Sequence, residues 1–317
     1  MKKFLQYAIF LYRRVFVREI YNIGVVREPI YSFLDPQWNP NIFWLPRLPK
    51  SATFIADPFG IVFNKKKYLF CEYFDYRESK GRILSKEIEK TLIGGGFENA
   101  IVLPCHTSYP FLLKHDGRVF CIPETSRANE IALYRMVTLP DKWKKEAVLL
   151  DGVPALDPSI VQFKNRWWLF YAVKSTDSLD LYISYADSIY GPWRPHAKQP
   201  VKSDSASTRP GGTPFIHEGR LYRPAQDCSK VYGGRVVINE VVVLSPVEFE
   251  EKVVSVVEPD RNGPYPDGLH TLSAMGNTTL IDGKREMFVM AAAVKSIQKR
   301  IKDILGFNMR RKKRLKT

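Results

Sequence analysis

The sequence lacks the short motifs on which the commonest catalytic chemistries are built. None of HExxH, GxSxG or GxGxxG occurs, which removes the zinc metalloprotease, nucleophile-elbow and dinucleotide-binding readings. Gly94 to Gly96 is a glycine run without the Lys-Ser/Thr that a phosphate loop requires. The four cysteines, Cys71, Cys105, Cys121 and Cys228, form no CxxC pair, and zinc would need closer ligand spacing. Buried free thiols in a reducing compartment are the expectation, and no metal site is assigned. No zinc finger, helix-turn-helix or RNA-binding pattern is present, so nucleic acid is not expected as a partner. Phe4 to Tyr12 is the apolar stretch nearest the start, and nine residues cannot span a bilayer. No small-x-small cleavage site follows it, so a secretory leader is not expected. Helical periodicity is missing from the middle of the chain.

What the middle contains instead is a hairpin that returns. Phe54 to Phe74, FIADPFGIVFNKKKYLFCEYF, opens on Asp57-Pro58 and runs through an apolar stretch, a polar turn at Asn64 to Lys67, and a second apolar stretch. That pattern is a β-hairpin. Tyr109-Pro110, Asp157-Pro158 and Thr213-Pro214 lead further copies, with the prolines 52, 48 and 56 residues apart. A degenerate fifth copy starts at His270. A period of about 50 residues marks a repeat architecture, with room for about four short strands in each copy. The fold class predicted is all-β, a five-bladed β-propeller, which closes radially and leaves only short, protected edges. Residues 22–294 are assigned to it. The stretch from Asn22 to Ser51 is expected to lend a strand to the last blade.

The charge is uneven. Of the net +15, the segment from Lys295 to Thr317 carries ten Lys/Arg against Asp303, and Met1 to Ile20 carries five against Glu19, which leaves about +2 for the middle. Short basic amphipathic helices are expected at both termini, over 1–21 and 295–317. Phe4, Leu5, Ile9, Phe10, Phe16 and Ile20 space one; Ile297, Ile301, Ile304 and Leu305 space the other, ahead of the Arg310 to Arg314 cluster. Such segments suit an anionic membrane surface. A docked helix and a solvated tail are the alternatives.

In a propeller the innermost strands line a funnel, so residues at their starts converge from distant parts of the sequence. First-strand starts supply Asp57, Tyr109, Asp157, Thr213 and His270. Second-strand ends supply Glu72, Glu124 and Asp227. Carboxylates brought together in this way suit glycosyl chemistry, one as base or nucleophile and one as acid. Taken singly, Asp57 and Asp157 are also what an Asx turn before a strand requires. Glu124, in CIPETSRANE, is followed by Arg127. Arg209, in STRPGGTPF, could pair a funnel carboxylate or a phosphate. His106 and His270 stand near the starts of two blades, and Gln226-Asp227 close a second strand.

ADPF at Ala56 to Phe59, HTSYPF at His106 to Phe111 and IPET at Ile122 to Thr125 belong to one pattern. DPSIV with WWLFY between Asp157 and Tyr171, RPGGTP at Arg209 to Pro214, and GLHTLS at Gly268 to Ser273 complete it. The set resembles the N-terminal domain of plant glucosamine inositolphosphorylceramide transferase and its bacterial relatives, over roughly Asn22 to Ala293. That family in turn resembles the five-bladed propellers of arabinanases, invertases and levansucrases. The resemblance implies Asp57 as base or nucleophile, Asp157 as the partner that tunes pKa, and Glu124 as acid. His106, Arg127, Arg209, Gln226, Asp227 and His270 are the expected substrate-binding residues. The expectation is a glycosyltransferase-like enzyme of envelope or capsular polysaccharide or glycolipid synthesis. It would use a sugar nucleotide and a lipid-linked acceptor, and act in the cytoplasm on the inner face of the cell membrane. A glycoside hydrolase of the same fold and a non-catalytic carbohydrate-binding propeller are the alternatives, and no cofactor is assigned.

Overall fold

The computed structural model describes residues 16–48, 53–88, 96–176 and 178–289. Among them the strands form five antiparallel sheets, the blades of a propeller. The first blade is Thr53–Phe63, Lys66–Asp75, Lys80–Ile88 and Glu98–Ile101. The second is Ser108–His115, Arg118–Glu124, Glu130–Thr138 and Lys142–Asp151. In the third, Leu156–Phe163, Arg166–Lys174 and Leu179–Ala186 are edged by two short pieces, Arg194–Pro195 and Lys202–Ser203, so that this blade departs from four strands. The fourth is Phe215–His217, Arg220–Asp227, Arg235–Leu244 and Phe249–Val257. The fifth begins with Leu272–Ala274 and Thr279–Phe288, and is completed from the start of the chain by Val17–Val26 and Phe43–Trp44.

The second strand of a blade is covered on both faces, and its sequence shows it. In Arg166–Lys174, Trp167 to Ala172 are all buried, an unbroken apolar run in place of alternation. Between the first two blades, the Phe59 ring meets Tyr109 edge-on at 4.7 Å and Phe111 at 5.5 Å. Cys71 and Cys121 are free thiols buried in second strands, and Cys105 and Cys228 are free and half-buried.

The X-Pro step at the start of each of the first three blades is a bulge. Asp57, Tyr109 and Asp157 have φ of 50°, 44° and 50°, and the pairing register slips at all three, between Ala56 and Phe59, Ser108 and Phe111, and Leu156 and Ser159. A left-handed residue before proline is doubly disfavoured. A bulge also re-aims a side chain, and here it places these three at the blade entrances. In the fourth blade the residue before proline, Thr213, is not left-handed, and the positive φ falls one residue earlier, on Gly212. A Cβ on Gly212, at φ 137°, would stand 1.7 Å from the Leu272 carbonyl oxygen, because the starts of the fourth and fifth blades touch there in parallel.

The chain divides into two compact units, Tyr21–Lys284, which holds most of the blade strands, and a smaller one of 1–20 with 285–317, which takes the ends of Val17–Val26 and Thr279–Phe288. Within the smaller unit Val289 N–H donates to the Phe16 carbonyl at 2.8 Å, and the Phe16 and Phe288 rings stack at 5.8 Å. The helix expected over 1–21 does not extend to its end: the chain is a strand from Val17. The β-branched residues Val17, Ile20, Ile23, Val25 and Val26 suit that pairing better than a helix. The remainder of that segment and the expected helix of 295–317 lie outside the described residues.

Candidate functional site

Backbone N–H groups at the blade entrances reach for carboxylates of the blade before. Asp57 N–H donates to Asp282 Oδ2, Tyr109 N–H to Asp57 Oδ2 and Asp157 N–H to Glu124 Oε2, each at 3.2 Å. Tyr109 supplies a phenol in place of an acid. Its Oη lies 2.8 Å from Ser159 Oγ, accepts from Gly212 N–H at 2.7 Å and donates to Gly212 O at 3.1 Å, so one side chain ties three blades together. These bonds stitch neighbouring blades and bury the acids at once.

Arg209 lies among them. Its Nε donates to Asp157 Oδ2 at 2.5 Å and its Nη2 to Oδ1 at 3.3 Å, while Glu124 Oε2 is 3.8 Å away. The Tyr232 ring lies 5.1 Å from the guanidinium carbon. Gln226 Nε2 donates to Asp157 Oδ2 at 2.5 Å and to the Pro210 carbonyl at 2.9 Å. The Asp157 side chain thus accepts from a cation and an amide at once.

Burial pushes the Glu124 carboxyl well up, and Asp157 beside it pushes the same way by charge and by a side-chain hydrogen bond, with only Arg209 and the Asp157 N–H opposing. Glu72 is also pushed well up by burial, then by Asp57, Glu124 and Asp157. Asp57 is raised from its ordinary 3.8 to about 6. Burial is the main cause, His270 pulls it back down, and Asp157 and Asp282 add to the rise. Burial and mutual repulsion thus raise Asp57, Glu72 and Glu124 together, which favours the uncharged form of each over its ordinary state.

On the other side of Asp57 stands a buried ion pair. His270 Nδ1 is 2.5 Å from Asp282 Oδ2, and His270 Nε2 is 3.7 Å from Asp57 Oδ1. Burial pulls the imidazole down, but Asp282 and then Asp57 outweigh it and His270 is raised. Burial lifts Asp282, and the His270 charge and hydrogen bonds from His270 and Thr271 carry it below the usual range. Thr271 Oγ1 donates to Asp57 Oδ1 at 3.1 Å, and the Tyr21 ring stacks on His270 at 4.6 Å. Asp57, His270 and Asp282 offer ligand atoms within 4.8 Å of one another, close enough to hold a cation. The close His270–Asp282 contact already occupies one of those atoms.

Of the residues singled out from the sequence, the structure brings Asp57, Glu124, Asp157, Arg209, Gln226 and His270 into this cluster. His106 stands one step out. Its Nε2 is 3.6 Å from Glu72 Oε1, and its Nδ1 accepts from Gly81 N–H at 2.8 Å. Arg127 is not brought in: it is exposed on the turn Ser126–Ala128. Asp227 is not brought in either. Its carboxylate is taken by Ser229 and, at 2.7 Å, by Arg235. Asp282 is not among the residues singled out from the sequence. The strand Thr279–Phe288 runs straight through it. Glu72 could have been promoted: it pairs with Ala56 as Glu124 pairs with Ser108. A cavity of about 520 Å³ adjoins the cluster, with Arg209, Tyr232, Cys228, Lys174 and Ser203 on its walls.

Comparison with known proteins places this architecture. The family model described as "Glucosamine inositolphosphorylceramide transferase 1, N-terminal" matches residues 46–265. Glucosamine inositolphosphorylceramide transferase 1 of Oryza sativa subsp. indica is 34% identical over 220 residues, 67% of this chain and 29% of that protein. The protein of the same name from Arabidopsis thaliana is 33% identical over 222 residues, with the same shares. The chain thus spans 29% of the length of these relatives. Among solved structures, a family 117 glycoside hydrolase of Zobellia galactanivorans is similar with a TM-score of 0.54 at 14% identity, over 86% of this chain and 91% of that one. An exo-β-1,3-galactanase from Phanerochaete chrysosporium is similar with a TM-score of 0.56 at 12% identity, over 69% and 54%. At such identities the likeness is one of fold alone. The match over two thirds of the sequence is of another kind, and by it this chain belongs to the glucosamine inositolphosphorylceramide transferase 1 N-terminal family.

Proposed function

We propose that the funnel is a carbohydrate-active centre that transfers a glycosyl group, from a sugar nucleotide to a lipid-linked sugar, in envelope or capsular polysaccharide or glycolipid synthesis. The observation that carries this reading is the buried cluster in which Asp57 titrates at about 6 while Glu124 is pushed well above the usual carboxyl range. Asp57 takes the proton from the acceptor hydroxyl. The freed oxygen bonds to the anomeric carbon, and the bond from that carbon to the nucleotide phosphate oxygen breaks, with its electron pair staying on the phosphate oxygen of the departing nucleotide. Asp157, held by Arg209 and Gln226, keeps the local charge fixed during the transfer. The name that the relatives carry supports a sugar as the group moved and a glycolipid as its acceptor. The basic ends of the sequence support a peripheral position on the cytoplasmic face of the cell membrane.

Two observations favour the other readings. A nucleotide phosphate departs without a proton, whereas a sugar alkoxide needs one, so a carboxyl raised as Glu124 is suits the acid of a hydrolase, with water in place of the acceptor. The bonds from backbone N–H groups to Asp57, Glu124 and Asp282 give these acids a structural task, which favours a binding propeller without turnover. Incubation of the full chain with a panel of sugar nucleotides and a membrane lipid extract, followed by mass spectrometry, separates the three. A glycosylated lipid that disappears in Asp57→Asn supports transfer. Reducing sugar released from oligosaccharides without donor replaces it with hydrolysis. Saccharide binding without product in wild type and variant alike leaves the binding module.

A further inference from the structure

A cavity of about 610 Å³ lies on the flank of the Tyr21–Lys284 unit, between the outermost strand of the fourth blade and that of the fifth. It borders the funnel cluster at Asp282, whose carboxylate is engaged with His270, and at Gly268 and Leu269, which lead to His270. The volume lies in the range of small-molecule sites, roughly 300–1,000 Å³.

Three aromatic rings line it, Trp38, Trp44 and Tyr265. Trp44 has a seat built from missing side chains. A Cβ on Gly283 would stand 2.3 Å from Trp44 Cη2 and 2.7 Å from Tyr265 Cβ, and one on Gly24 would stand 3.2 Å from Trp44 Cε3. Both glycines lie within strands, where glycine weakens the strand and marks a close approach. The indole rests across the backbone of both strands and remains half-buried on the cavity wall. Tyr265 packs 4.6 Å from it, with its hydroxyl held by Asn22 Nδ2 at 2.8 Å. Trp38 is set at a right angle to Phe33, 4.8 Å away.

The polar part of the lining is one-sided. Asp35 and Asp260 contribute carboxylates, Glu258 a third that is paired with Arg235 Nη1 at 2.6 Å, and Asp282 a fourth that is engaged with His270; among the described residues no lysine, arginine or histidine lines the cavity. Phosphates, sulfates, nucleotides and acidic sugars would meet like charge there. Pyranose rings combine an apolar C–H face, which stacks on indole and phenol, with hydroxyl donors that suit carboxylate acceptors. We propose that this groove is a second saccharide-binding site, for an oligosaccharide that is neutral or carries amines and bears no anionic group. Binding there needs no turnover, so it stands apart from the funnel reading.

Titration calorimetry on the full chain tests it, with three probes: the glucosamine tetramer, the N-acetylglucosamine tetramer and a galacturonate tetramer. Saturable binding is expected for at least one of the first two and for none of the third. Trp38→Ala should weaken it by about tenfold or more, as loss of an aromatic anchor does. Val256→Arg, at an exposed position on the lining, should block the groove without disturbing the core. Asp57→Asn should leave the affinity unchanged. Binding lost in Asp57→Asn but kept in both groove variants would put the sugar in the funnel and overturn the proposal. So would equal binding of the galacturonate tetramer, or no saturation by either of the first two at millimolar concentration.

Discussion

Asp57 is held against three costs. It is in the left-handed region ahead of a proline, it is buried, and its charge is opposed by Asp157 and Asp282. The unfolded chain gives up this proton near 3.8 and the folded chain near 6. Between those values the folded state binds more protons, so the contribution of Asp57 to stability is greatest below 3.8 and falls as the pH rises through 6, by about 2–3 kcal/mol in all. Asparagine can accept from Tyr109 N–H, donate to Thr271 Oγ1 and tolerate the left-handed conformation. Asp57→Asn is therefore expected to raise the melting temperature at pH 7.5, with the gain shrinking towards zero below pH 4. The same variant should lose activity by about a hundredfold or more, and wild-type turnover should climb with pH through about 6. Thermal melts and a pH–rate profile check both halves. A variant less stable at neutral pH would show that ionised Asp57 holds the blades together.

The element that recurs is a hairpin whose first strand begins on a bulge, and the copies solve the same geometric problem with different residues. The first and third use aspartate and the second tyrosine, whereas in the fourth the positive φ falls on Gly212, one residue ahead of Thr213-Pro214, where the backbone runs against Leu272. Thr213 N–H donates to Leu272 O at 3.1 Å, and Leu272 N–H to Gly211 O at 2.9 Å. Gly212→Ala is expected to cost about 3 kcal/mol or more, since both the positive φ and a contact with backbone forbid the methyl group. Gly219→Ala, at φ 76° with nothing within 4 Å, should cost only about 1 kcal/mol. Chemical denaturation of the pair measures the difference. Equal midpoints would show that the two inner strands separate readily.

At the scale of the whole molecule, the positive charge is concentrated at the ends of the sequence. Residues 1–15 carry a net +4 and residues 296–317 a net +8. Clusters of positive charge attract anionic lipid, and such attraction is screened over about 8 Å at physiological ionic strength. Flotation with phosphatidylserine liposomes should carry the full chain at low salt and release most of it in high salt. Removal of 296–317 should weaken binding more than removal of 1–15. A chain that stays with the soluble fraction at low salt would detach the lipid-linked acceptor from the proposed function.

The sequence by itself determined the blades. A Pro-led hairpin every 50 residues is a local, repeated pattern, and Asp57, Tyr109 and Asp157 declared themselves as entrance residues because each stands before its proline. It also determined the family, through motifs spread over most of the chain. The selection among carboxylates was decided only in three dimensions. Glu124 and Asp227 look alike in the sequence, each closing a second strand. Glu124 faces Asp157 and Arg209, whereas Asp227 faces Ser229 and Arg235. Asp282 did not stand out in the sequence and proved to be the partner of His270. The physical reason is range: pKa and pairing depend on distances of a few ångströms between residues 12 to 225 positions apart, such as His270 with Asp282 and Asp57 with Asp282. No local periodicity encodes those distances, and the closing of the ring creates them.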